Sequence, residues 1–268
     1  MIKLIKKIKK ALKKYLTCIE PYPSYYVEDV FNFDKDKEID KLEYLFILES
    51  PYIEEIKNKC PLSGNTGYAV SMILLNNSDF PFGSLLAYRD PQLCDKKIGI
   101  MNVSNVPLDV EKLLKNYENL KELKDKTKLI GERLTKLRKN AITDNTWGSD
   151  VLSKSFTARL RKYLENVNSA FRIIVCGETA KRYYNYAKRK ISEEGNSIFN
   201  NITEYFVPHP SHDHWEDEDA RNNPKLKMLR KEFLFNRNII GLYSLFHSYK
   251  KTKASKAKCV FKVKIKLT

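Results

Sequence analysis

Four short apolar runs, at residues 44–48, 98–101, 173–176 and 205–207, stand out along the chain, each followed at once by polar residues. They are nearly unbroken and too short for helices. Strands of a parallel sheet covered on both faces show such continuous runs, whereas half-exposed strands alternate. Between and after them apolar residues recur at helical spacing over 68–75, 110–140, 150–167, 179–191, 224–235 and 239–249. Within 110–140 the stripe is Leu113, Leu114, Leu120, Leu123, Leu129, Leu134 and Leu137, as one interrupted helix or two. Strand and helix in alternation predict an α/β sheet with right-handed crossovers. Residues 20–41 show little period and are expected to wrap the surface, and residues 51–67 to form a long loop.

Both ends differ from this interior. Residues 1–16 put Ile2, Ile5, Ile8 and Leu12 on one stripe and Lys3, Lys6, Lys7, Lys10, Lys13 and Lys14 around the rest, which predicts a basic amphipathic helix. Its apolar face can dock on the domain with the lysines solvated, or the helix can meet DNA or an anionic membrane surface. Residues 250–268 form a basic tail that alternates from Val260 to Lys266, as an edge strand would. The net charge of +16 reads differently in this light. Seven lysines in residues 1–16 and eight in 249–268, with no acid in either stretch, supply fifteen of those charges.

The 268 residues, 42% of them hydrophobic, suffice for one large core, and residues 17–249 are expected to form one globular domain. Cys18, Cys60, Cys94, Cys176 and Cys259 lack any paired metal-binding spacing and are expected to be reduced thiols. No secretory apolar segment is evident, nor a run of about 18 apolar residues that would span a membrane. A monomer inside the cell, cytoplasmic or at the nucleoid or nucleus, is the expectation.

In open parallel sheets ligands bind beyond the carboxyl ends of the strands, so the four exits are predicted to converge on one crevice. The first exit runs Glu49-Ser50-Pro51-Tyr52 and continues to Pro61-Leu62-Ser63-Gly64-Asn65-Thr66-Gly67. A carboxylate, a rigid turn and a glycine-rich stretch before a helix can form a pocket floor where backbone N–H groups face an anion. An ordinary strand-to-helix loop fits the same residues. At the second exit Asn102 offers both a donor and an acceptor to a base edge, although such amides commonly cap loops. At the fourth, His209 stands between Pro208 and Pro210, which restrict its backbone and so orient the imidazole.

Taken in this order, the pieces resemble the uracil-DNA glycosylase superfamily. Its acid-x-Pro motif and the glycine-rich motif after it look like Glu49-Ser50-Pro51 and the stretch from Pro61 to Gly67. Its pyrimidine-reading Asn looks like Asn102, its third-strand element like Val175-Cys176-Gly177-Glu178-Thr179-Ala180, and its His-Pro-Ser motif like His209-Pro210-Ser211. The resemblance runs from about residue 44 to 211 and covers neither basic end. It implies an α/β fold, a three-layer α/β/α sandwich around a four-stranded parallel sheet. It also implies a hydrolase without cofactor or metal, which cuts the bond between base and deoxyribose after the nucleotide flips out of DNA, single- or double-stranded. Glu49 and His209 would be catalytic, with Asn102, Tyr52 and Leu62 around the base. Ser63, Gly64 and Ser211 would hold flanking phosphates, and Trp215 would be the wedge that opens the stack. Two positions depart from the pattern. Ser50 stands where members with the Pro-Tyr form usually carry Asp, which leaves Glu49 as the carboxylate, and Leu62 replaces the aromatic that usually stacks on the base.

Two rival readings use the same residues. His209, His212 and His214 with Asp213, Asp217 and Asp219 could ligate a divalent metal in a phosphoester hydrolase. A fold of this kind can also serve only to bind nucleic acid or a partner. For the basic ends the roles separate by salt. If residues 1–16 contact DNA, affinity falls steeply with salt and their deletion flattens that slope in a binding titration; an unchanged slope removes the helix from the interface.

Overall fold

The computed structural model describes residues 27–109, 137–138, 149–195, 198–211, 215 and 217–234, apart from positions 78, 94, 166 and 168–170. The predicted helices at 1–16 and 239–249, the basic tail and most of 110–140 lie outside the described residues. The strands are β1 (Val30–Phe31), β2 (Tyr44–Leu48), β3 (Ile98–Asn102), β4 (Phe171–Cys176) and β5 (Ile202–Val207). The helices are α1 (Lys35–Glu38), α2 (Ile53–Asn58), α3 (Asn65–Leu75), α4 (Phe82–Ala87), α5 (Ser149–Leu164), α6 (Gly177–Glu193), α7 (Glu218–Asn222) and α8 (residues 224–234).

One mixed sheet runs in the order β1-β3-β2-β4-β5. The four strands expected from the apolar runs pair in parallel, and β1 joins β3 antiparallel. The expected four-stranded parallel sheet is therefore corrected to a five-stranded mixed one. Two residues carry no period from which a strand can be read, and β1 exists because an edge is there to pair with. Asn32 extends that pairing: its Nδ2 donates to the carbonyls of Leu93 and Lys96 (3.0 and 2.7 Å), and its Oδ1 accepts the Ile98 N–H at 2.9 Å. The outer edge of β3 is thereby covered.

Alternation along fully buried strands feeds two cores, one on each face. Tyr44, Phe46, Leu48, Ile98, Ile100 and Ile174 pack with Val70 and Leu74 of α3, Phe82 and Leu86 of α4, and Leu229 and Phe233 of α8. Leu45, Ile47, Met101, Ile173 and Val175 face the other way, onto Phe156 and Leu160 of α5 and Tyr183, Tyr184 and Ala187 of α6. Each such side chain contributes roughly 1.5–3 kcal/mol on full burial. Helices on both faces explain why the strand runs are unbroken.

Residues 51–67, expected as loop, contain α2 and the first turn of α3. α2 is too short to show a stripe, and its fold-back rests on a carboxylate described below. α8 is tied to the sheet by one acceptor: the Glu232 carboxylate accepts from the Tyr44 hydroxyl (3.0 Å) and the Tyr205 hydroxyl (2.5 Å) and pairs with Arg172 (2.6 Å). Removing it leaves three donors without their acceptor. Glu232→Ala is expected to cost about 1–3 kcal/mol in urea unfolding, and Tyr44→Phe in the Glu232→Ala background to add less than it does alone.

Candidate active site

The strand order turns at β2: β3 lies on one side and β4 on the other, which places a crevice at the carboxyl ends of these strands. A cleft of about 870 Å³ opens there, and every parallel strand contributes to its wall. Glu49 and Tyr52 come from the exit of β2, Asn102 from β3, Gly177 and Thr179 from β4, and His209 and Ser211 from β5; Leu62, Gly64, Asp109 and Arg138 are also in the lining. Of the nine residues expected at the site, the structure brings seven to this one cleft.

Asn102 ends β3 opposite Leu48, and the ladder continues past both strands, with Val103 N–H donating to Leu48 O (2.8 Å) and Ser104 N–H to Glu49 O (3.0 Å). From α5, Arg159 donates to the carbonyls of Asn102 (2.7 Å) and Val103 (2.9 Å) while pairing with Asp29 at 2.7 Å, which also accepts from the Tyr163 hydroxyl. The backbone of Asn102 is fixed from two layers. Its side chain is 2% exposed, and neither Oδ1 nor Nδ2 has a hydrogen-bond partner among the described residues. An orphaned buried polar group costs about 1–3 kcal/mol. A ligand edge offering one donor and one acceptor removes that cost. Ser50, by contrast, is structural: its Oγ accepts the Leu108 N–H at 3.3 Å and so closes the loop after β3.

Glu49 is mostly buried and ion-paired with the Nε of Arg138, whose Nη1 pairs with Asp109 at 2.7 Å. Burial opposes the guanidinium charge, but Glu49 and Asp109 outweigh it and hold the Arg138 pKa above its ordinary value. Arg138 reaches the cleft from a backbone pinned to α6. The Tyr183 hydroxyl donates to Leu137 O (3.2 Å), and Thr179 Oγ1 to Arg138 O (3.4 Å).

His209 Nδ1 accepts the Ser211 N–H at 3.2 Å and lies 2.8 Å from Ser211 Oγ. With Nδ1 an acceptor, the proton of the neutral ring is assigned to Nε2. Ser211 therefore holds the imidazole. Gly177 opens α6 at φ +85°, and a Cβ there would stand 2.8 Å from the Cβ of His209. Only glycine both adopts this backbone and admits the ring.

Two expected site residues fall elsewhere. Ser63 is buried, its hydroxyl donating to Cys60 O at 2.8 Å, so it does not face a phosphate in this cleft. Trp215 is fully buried in the core with Leu226 and Leu229, its Nε1 donating to Pro208 O at 2.8 Å, so it is no wedge but part of the floor under β5's exit. Leu62 lines the cleft at 1% exposure with φ +54°, and Tyr52 lines it at 39% exposure. Of the metal reading, His212, Asp213 and His214 lie outside the described residues, and among the described residues no three His, Cys, Asp or Glu side chains are grouped to hold an ion. Cys60 and Cys176 are unpaired buried thiols, and burial pushes both above the ordinary thiol range. No helix among the described residues is long and apolar enough to cross a membrane.

Arg138, Asp109 and Glu55 are among the lining residues that were not anticipated. Glu55 sits three residues after Tyr52, the spacing at which a carboxylate reaches back to the start of a helix, a legible signal. Its Oε2 accepts the Tyr52 N–H (2.8 Å) and its Oε1 the Leu62 N–H (2.5 Å), so one buried carboxylate closes the loop between two lining residues. Arg138 carries no such signal, being 89 positions from Glu49.

Burial pushes the Glu55 carboxyl up to about 7, against the two N–H donors that favour its charge. The folded chain thus holds this proton more tightly than the unfolded chain, whose carboxyl titrates near 4.5. Stability from this group is complete below that value and is lost as pH rises through about 7, by up to about 3 kcal/mol. The urea midpoint of Glu55→Gln relative to the unsubstituted protein is expected to shift in the variant's favour between pH 5 and pH 8; a difference independent of pH would remove the assignment. No protein-family model matches this chain, and no curated protein matches it.

Proposed function

We propose that this chain is a base-excising hydrolase of the uracil-DNA glycosylase type, acting on a nucleotide turned out of DNA into the cleft. The observation that carries the reading is the buried Asn102 amide, whose donor and acceptor have no partner among the described residues, lining the same cleft as Glu49 and His209. A pyrimidine such as uracil presents the complement, an N–H beside a carbonyl oxygen. The parallel strands, covered by helices on both faces, support the three-layer form of that fold.

The chemistry follows from charge. As the N-glycosidic bond breaks, the electron pair leaves with the base and the sugar becomes cationic. His209, protonated on Nε2, donates a hydrogen bond to the base oxygen that gains negative charge. Glu49 stabilises the sugar cation or orients the water whose oxygen bonds to the sugar carbon, the proton that this water loses ending on the base anion. Asn102 reads the base, Tyr52 stands at its side, and Leu62 gives an apolar face without ring stacking. Gly64, at the uncapped start of α3, and Ser211 remain candidates for phosphate contact.

A second reading, binding of the extruded nucleotide without cleavage, is favoured by the pairing of Glu49 with Arg138. One assay separates the two. A labelled oligonucleotide carrying uracil is expected to gain an alkali-labile site, in chelator as well as without it. Asn102→Ala is expected to slow excision about 10- to 100-fold, and His209→Ala about 100- to 1,000-fold. Retained binding with no cleavage of uracil or any modified base would establish the second reading instead, and strand scission lost to chelator would establish metal chemistry.

A further inference from the structure

We infer that Arg138 is a positioning residue for Glu49, with Asp109 as its outer anchor; the inference rests on the proposed excision reaction. Three observations carry it. Arg138 is held at both ends, its backbone by the Tyr183 and Thr179 hydroxyls that donate to the Leu137 and Arg138 carbonyls, and its guanidinium by carboxylates beside Nε and Nη1. Glu49 and Asp109 come from different strand exits, and Arg138 is the cation between them. Glu49 reaches the cleft on a side chain with three rotatable bonds, and the ion pair with the guanidinium keeps its carboxylate beside Arg138.

The charge balance also fits the chemistry. A lone Arg–Glu pair would present no net charge to the sugar cation, which would then gain nothing from Glu49. Asp109 pairs with Nη1 of the same guanidinium, and a second carboxylate on that cation weakens its hold on the charge of Glu49. Lysine cannot substitute, because its ammonium lacks the planar fork that meets two carboxylates from fixed directions.

The test is a double-mutant cycle on single-turnover excision from the uracil oligonucleotide, comparing the unsubstituted protein, Arg138→Ala, Glu49→Gln and the double variant. Arg138→Ala is expected to lower the rate at saturating DNA about 10- to 100-fold, with the half-saturating concentration changed less than about threefold. In the Glu49→Gln background the same substitution is expected to cost nothing further. Arg138→Lys is expected to remain slow. Free guanidinium at matched ionic strength is expected to speed Arg138→Ala but not the double variant. Should Arg138→Ala fail to fold, Asp109→Asn replaces it in the cycle with the same expected pattern. Equal costs in both backgrounds, or an effect confined to DNA affinity, would overturn the inference while leaving the excision reading intact. Absence of excision by the unsubstituted protein on any modified base would overturn both.

Discussion

Leu48 sits opposite Asn102 in the parallel ladder of β2 and β3, and backbone bonds continue past both strands, from Val103 to Leu48 and from Ser104 to Glu49. The cleft depends on this pairing. Side chains in a strand alternate between faces, so a slip of one residue would turn Asn102 into a helical layer and bring an apolar neighbour to the cleft. The register is held from outside the ladder as well. Arg159 binds the carbonyls of Asn102 and Val103 and, through Asp29, the segment that leads into β1. The edge strand, the α5 layer and the floor of the cleft are thus one connected piece.

Two kinds of polar group meet on that floor, and they differ in what they ask of a ligand. Glu49, Glu55 and His209 already have protein partners, so their geometry is set before anything binds. Asn102 has none among the described residues. Preset groups act on whatever enters, whereas an unmet amide selects what enters, because a mismatched edge leaves two buried atoms unsatisfied.

The apolar runs made the four parallel strands legible, for β2, β3 and β4 because burial on both faces erases alternation and leaves a signal of its own, and for the edge strand β5 through its short run at 205–207. The convergence of Glu49, Asn102 and His209 on one cleft then followed from the rule about strand exits, with no need for contacts to be read from sequence. β1 and α2 were hidden for opposite reasons: β1 is a response to an open edge, and α2 is ordered by Glu55 rather than by a stripe. Trp215 was placed as the wedge by its position after the His-Pro-Ser motif, while its neighbours in space, Leu226 and Leu229, come from later in the chain. Ser63 fell inward because Leu62, with its positive φ, turns the chain there. Arg138 is a tertiary fact. Nothing local in its neighbourhood announces a partner so far away.

Gly177 and His209 meet so closely that neither position is independent of the other. In a library of variants, any side chain introduced at the first demands a smaller residue or a displaced loop at the second. A search for other chains built this way is accordingly sharper when it asks for a strand-ending glycine and a proline-flanked histidine jointly than when it asks for either motif.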